Sequence, residues 1–162
     1  MAQENQTRYR QRLVCVYRKK VMKNISNILI DFDGCLTTGK LTITSDGKEL
    51  FREVHTRDSR AIRELVAKGY HVVIVTASKS EIIRHYANKL GCEVIVMRDK
   101  SKHGFTDYAA IGDDSWDIPM LESAELKFCP NDAFYKVKMI PGIKILKTKG
   151  GHGVMAEVNE YL

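Results

Sequence analysis

Three prolines, four cysteines and one tryptophan are few for a chain of 162 residues. So little proline, with 44% apolar and 28% charged residues, excludes a collagen-like, low-complexity or disordered main body. Cys15, Cys35, Cys92 and Cys129 show neither CxxC pairing nor the density of a disulfide scaffold, so a reducing cytosol and a cytoplasmic location are expected. No stretch approaches the roughly 18 apolar residues of a membrane span. The apolar stretch Leu13-Val14-Cys15-Val16-Tyr17 is shorter than the roughly 7–15 residues of an export signal's core. One globular domain of ordinary size remains.

The formal charge of +6 is unevenly placed. Arg8, Arg10, Arg12, Arg18, Lys19, Lys20 and Lys23 face Glu4 alone in residues 1–24, while residues 25–162 balance 19 bases with 19 acids. A basic extension over 1–24 and a neutral domain over 25–162 are therefore expected, and a nucleic-acid-binding face on the domain is not. Met22 stands as a second plausible start, just before the first strand pattern.

Apolar periodicity predicts an α/β domain with a parallel sheet and helices on both faces. Asn27-Ile28-Leu29-Ile30-Asp31-Phe32 reads as a buried strand ending in an acid. Residues 40–54 alternate about Asp46-Gly47, the pattern of a hairpin. Ile62, Leu65 and Val66 share a helical face that Gly69 ends. Residues 70–76 form a second strand, and Ser78-Lys79-Ser80-Glu81 has capping-box spacing for a helix stopping at Gly91. Strands follow at 94–96, 108–111, 126–129 and 143–146, with a closing helix from Val154 to Leu162.

In such a sheet the ligand site lies beyond the strands' carboxyl ends. Strand one ends at Asp31 and Asp33, strand two at Thr76, and strand three leads to Lys100 and Lys102. Strand four opens on Asp113, Asp114 and Asp117. Converging carboxylates without His or Cys partners at metal-ligand spacing call for Mg²⁺, with Asp31 and Asp113 as side-chain ligands. A cation and an ammonium also neutralise a phosphate, so Thr76 and Lys102 are its expected partners. Asp31 can then attack phosphorus, and Asp33 can protonate the leaving alcohol and deprotonate the hydrolysing water.

Asp31-Phe32-Asp33-Gly34-Cys35-Leu36-Thr37, Thr76, Lys102 and Gly112-Asp113-Asp114-Ser115-Trp116-Asp117 resemble the four motifs of the haloacid dehalogenase superfamily of phosphatases. Thr37-Thr38-Gly39, the Asp46-Gly47 hairpin, Arg57-Asp58 and Gly150-Gly151-His152-Gly153 narrow the resemblance. They point to the 3-deoxy-D-manno-octulosonate 8-phosphate (KDO 8-phosphate) and sialic-acid-type sugar phosphatases. The resemblance implies a domain without a large cap, a hairpin flap packed in a homotetramer, and a small phosphorylated sugar or sugar acid as substrate. It also implies a metal set of Asp31, Asp33 and Asp113, with Asp114 and Asp117 behind it and phosphate held by Thr76, Ala77 and Lys102. Family register from Leu90-Gly91 places the motif lysine at 102 rather than 100.

Three departures follow from the same resemblance. The family's Thr-Gly-Arg is Thr76-Ala77-Ser78, and its tail arginine is Ala156. The segment from Lys102 to Gly112 is shorter by about a dozen residues, which leaves the link from Met97 to Asp107 near the roughly 10–12 residue minimum for joining parallel strands. Activity toward KDO 8-phosphate weaker than toward some other sugar phosphate is the consequence expected. A phosphatase-like module kept for oligomerisation or regulation, as in the related domain of animal CMP-sialic acid synthetases, is the alternative. His55, His71, His85 and His103 lack ligand spacing, and Trp116 reads as a packing group.

Overall fold

The first strand is apolar at nearly every position because both of its faces are covered. In the computed structural model, which describes residues 25–162, Ile28 and Ile30 of β1 (Asn27–Ile30) enter one core and Leu29 enters another. The same split runs through β4 (His71–Thr76), with Val72 and Ile74 opposite Val73 and Val75, and β6 (Tyr108–Ile111), with Ala109 and Ile111 opposite Tyr108 and Ala110. Period-two side chains thus divide each central strand between two helical layers.

With β5 (Glu93–Val96), β7 (Leu126–Cys129) and β8 (Lys144–Ile145), these strands form one parallel sheet in the order β5-β4-β1-β6-β7-β8. The chain winds outward from β1 through β4 to β5, then crosses back to β6 on the other side of β1. That reversal opens a crevice at the carboxyl ends of β1, β4 and β6.

One face carries α1 (Thr56–Ala67), α2 (Glu81–Leu90) and α5 (Val154–Val158), which bury Ile62, Leu65, Ile83, Ala87, Leu90, Val154, Met155 and Val158. Among the described residues the other carries only α3 (Ile118–Glu122) and α4 (Tyr135–Lys138), whose Met120, Leu121 and Val137 fill the second core. The link between β5 and β6 holds a single 3₁₀ turn, Lys100–Lys102, in place of a crossover helix. Cover on this face is thin, and Trp116 is 57% exposed, which corrects its reading as a packing group.

Two boundaries also differ from expectation. The cap of α2 is Ser80, whose Oγ accepts from Ile82 N, while Ser78 Oγ accepts from Ser80 N; the cap lies two residues later than the Ser78 box. The last helix ends at Val158. The flap is a two-stranded antiparallel hairpin, β2 (Thr42–Ile43) and β3 (Glu49–Phe51), tied across its tip by Thr44 N to Lys48 O at 2.8 Å. The basic extension, Cys15 and the Met22 start lie outside the described residues.

Candidate active site

Asp31 follows β1 directly and starts a tight turn, Phe32–Leu36, that brings the chain back across the strand ends. Gly34 makes this turn possible: its φ is +91°, and a Cβ there would fall 2.1 Å from Asp113 Oδ2. Asp113 comes from the loop after β6, next to β1 in the sheet. The glycine-rich tail seats on the same turn, with Gly151 N donating to Cys35 O at 2.9 Å and a Cβ at Gly150 falling 2.0 Å from Gly34 O.

Lys100, not Lys102, stands at the centre. Its Nζ lies 2.5 Å from Asp31 Oδ1 and 2.5 Å from Asp117 Oδ1, and its side chain is 3% exposed. The Lys102 side chain is 79% exposed and pairs with Asp99, so the register-based position is corrected by two residues. Lys100 opens the 3₁₀ turn and faces the strand ends, whereas Lys102 closes it and faces away. Burial works against the Lys100 ammonium, but Asp31 and Asp117 outweigh it and push its pKa up.

Asp117 is buried behind the site. Its Oδ2 accepts from the backbone N–H of Asp113 at 2.9 Å and of Asp114 at 3.0 Å, fixing the loop that presents Asp113. Asp114 is exposed and caps the turn through Ser115 N. Thr76 is buried at the end of β4, where its Oγ1 accepts from Ser78 N at 3.1 Å, and Ala77 lies on the bend that follows.

The donor set can be tested against a divalent cation. Oxygens of Asp31 and Asp113 and the Cys35 sulfur all lie within 4.8 Å of one another. Burial, with Asp117 and Asp114 adding, pushes Asp113 up to about 7, and burial with Asp117 likewise raises Asp31 against the pull of Lys100. Burial and Asp113 push the Cys35 thiol up, so it stays neutral and is a poor ligand. Two crowded hard carboxylates fit a divalent cation with oxygen ligands.

The Asp33 side chain lies outside this cluster of side-chain donors. Its Oδ2 pairs with the Arg52 guanidinium, and its Oδ1 accepts from Thr37 Oγ1 at 3.2 Å. Arg52 also reaches Glu49 through Nε and Ser78 Oγ through Nη2, the latter at 3.3 Å. Sequence reasoning passed over Arg52 because a basic residue beside an exposed hairpin usually belongs to a solvated edge. Its signal was the missing guanidinium at Ser78, which Arg52 now touches from another element.

No protein-family model matches the chain. The N-acylneuraminate cytidylyltransferase of Oncorhynchus mykiss is 30% identical over 151 residues, which make up 83% of this chain and 34% of that protein. This chain therefore spans about a third of that relative's length. The KDO 8-phosphate phosphatase of Haemophilus influenzae is 29% identical over 153 residues, 87% of this chain and 84% of the relative. A solved cobalt-bound form of that organism's KDO 8-phosphate phosphatase has a TM-score of 0.79 at 29% identity, covering 86% of this chain and 88% of that one. By fold, by the order of its motifs and by sequence, the chain resembles the KDO 8-phosphate phosphatases of the haloacid dehalogenase superfamily.

Proposed function

We propose that this chain is a Mg²⁺-dependent phosphomonoesterase acting on a small phosphorylated sugar or sugar acid, built as one domain over 25–162 behind a basic extension. The observation that carries this reading is the meeting of buried Asp31 and Lys100 with half-buried Asp113 at the carboxyl ends of β1 and β6. Such a group has the charges to hold a phosphate dianion against a carboxylate nucleophile.

Asp31 and Asp113 would hold the cation, which when bound supplies charge neutralisation for the transferring phosphoryl group. One Asp31 oxygen attacks phosphorus as the bond to the sugar oxygen breaks, and that oxygen takes a proton from Asp33. Asp33 then accepts a proton from the water that attacks the aspartyl-phosphate, releasing phosphate and restoring Asp31. Lys100 holds Asp31 in line, Asp117 holds Lys100 and the Asp113 loop, and Thr76 with the Ala77 bend faces the phosphate.

A homotetramer in a cytoplasmic setting goes with this reading. Leu41, Ile43, Leu50 and Phe51 of the hairpin region are about half exposed, a surface suited to another subunit. Cys35, Cys92 and Cys129 are free thiols, which fits a reducing compartment. Among the described residues no helix is long and apolar enough to cross a membrane. Neither nucleic acid nor membrane enters the reading.

The test is phosphate release from a panel of sugar phosphates, phosphorylated sugar acids and p-nitrophenyl phosphate, with Mg²⁺ and after chelation. Metal-dependent turnover of at least one ester is expected. Absence of turnover on all of them, with the fold intact, favours the second reading: a phosphatase-like oligomerisation or regulatory module. The similarity to part of a cytidylyltransferase is the observation that supports that alternative.

A further inference from the structure

The hairpin reaches into the site through one side chain. Arg52 follows β3, yet its side chain is only 7% exposed, and its guanidinium stands 5.9 Å from the Phe32 ring centroid. Nε goes to Glu49, Nη1 to Asp33 and Nη2 to Ser78, so three separate segments hold one planar group. The Asp33 side chain keeps 37% exposure, leaving a face that a leaving-group oxygen can meet.

We infer that Arg52 is a positioning residue for Asp33: anchored by Glu49 and Ser78, it fixes the carboxyl group that must reach the leaving-group oxygen. This inference rests on the phosphatase reading above. The partners of Arg52 argue against its serving as a receptor for a substrate anion. Each of its three nitrogens is already engaged by the protein, Nε by Glu49, Nη1 by Asp33 and Nη2 by Ser78. A fork held at three points is suited instead to fixing an orientation, which is what proton transfer within hydrogen-bond reach demands. Thr37, buried at 1% exposure, holds the other Asp33 oxygen from the domain side. Asp33 is thus gripped by the hairpin on one side and by its own turn on the other.

The role has a signature that general loss of structure lacks. A sugar alkoxide is a poor leaving group and needs the proton from Asp33 as the P–O bond breaks, whereas p-nitrophenolate leaves without one. The readout is kcat/KM, which covers the chain of events through formation of the aspartyl-phosphate and omits its hydrolysis. Arg52→Ala should lower kcat/KM for an alkyl sugar phosphate by about 100-fold and for p-nitrophenyl phosphate by less than about 10-fold, within the range that general acid catalysis supplies. Arg52→Lys should recover part of the selective loss through its single point charge. Glu49→Gln, which loosens Arg52 without touching Asp33, should give the same selectivity at smaller size and remains informative should Arg52→Ala fold poorly. Equal losses for both esters in Arg52→Ala and Glu49→Gln overturn the inference while leaving the phosphatase reading in place. Absence of wild-type turnover on either ester overturns both.

Discussion

Lys100 and Asp117 form a buried ion pair, Nζ to Oδ1 at 2.5 Å. The same nitrogen lies 2.5 Å from Asp31, so one positive charge orients the acid expected to react and the acid that holds the metal loop. Removing it strands two carboxylates in a buried site. Lys100→Ala should cost about 3–5 kcal/mol of stability in metal-free protein, the usual penalty for halving a buried pair, and lower kcat by at least about 100-fold. Lys102→Ala should change stability by less than about 0.5 kcal/mol, because its pair with Asp99 is exposed. Denaturant titration and initial rates on both variants check this, and a larger kinetic loss at Lys102 would return the role to it.

The sequence pattern carried the sheet well because its central strands are buried on both faces. Runs such as 71–76 and 108–111 admit few other readings at that length. The lysine was not legible for a reason specific to its segment. Family register was counted across a link that has lost a helix, and a three-residue 3₁₀ turn sends Lys100 and Lys102 in different directions. Ser78 and Ser80 were likewise ambiguous, since both are capping residues near Glu81, and only the hydrogen bond to Ile82 N decides between them. Arg52 carries no local pattern at all. Its place depends on how far the hairpin folds over Asp33, a tertiary relationship that spacing does not encode.

Gly34 should be intolerant of substitution. Gly34→Ala would place a methyl group 2.1 Å from Asp113 Oδ2 in a backbone conformation that side chains disfavour. Asp113 must then move away from Asp31. The expected result is a loss of about 1–3 kcal/mol in stability, from backbone strain, and at least a tenfold weaker response to Mg²⁺ in the activity assay. An unchanged Mg²⁺ half-saturation would show that Asp113 is not a ligand.

The hairpin should be a subunit contact. Two strands of two and three residues cannot bury Ile43, Leu50 and Phe51 by themselves. Light scattering at micromolar concentration should give a tetramer, and Leu50→Glu with Phe51→Glu should reduce the mass. A monomeric wild type would exclude the assembly.

Asp58 ties α1 to α5. Its Oδ1 accepts from Met155 N at 2.7 Å and Ala156 N at 3.1 Å, while Oδ2 is buried without a hydrogen-bond partner among the described residues. Removing the acceptor by Asp58→Ala should cost about 1–3 kcal/mol, because two backbone N–H groups lose their partner. The pH dependence has a definite sign. Burial raises the Asp58 pKa above its ordinary value, so the folded state holds this proton more tightly than the unfolded chain does. Protonation therefore favours the fold: the stability it contributes is present at low pH and is lost as pH rises through the folded pKa. Asp58→Asn keeps the Oδ1 acceptor and carries no charge at any pH. Urea unfolding of both proteins from about pH 7 down to about pH 4 should show wild-type stability rising relative to the Asn variant as pH falls through the folded pKa toward the ordinary Asp value of about 3.9. A gap that moves the other way would mean that Asp58 is stabilised as a carboxylate by the start of α5, and that its two N–H donors outweigh burial.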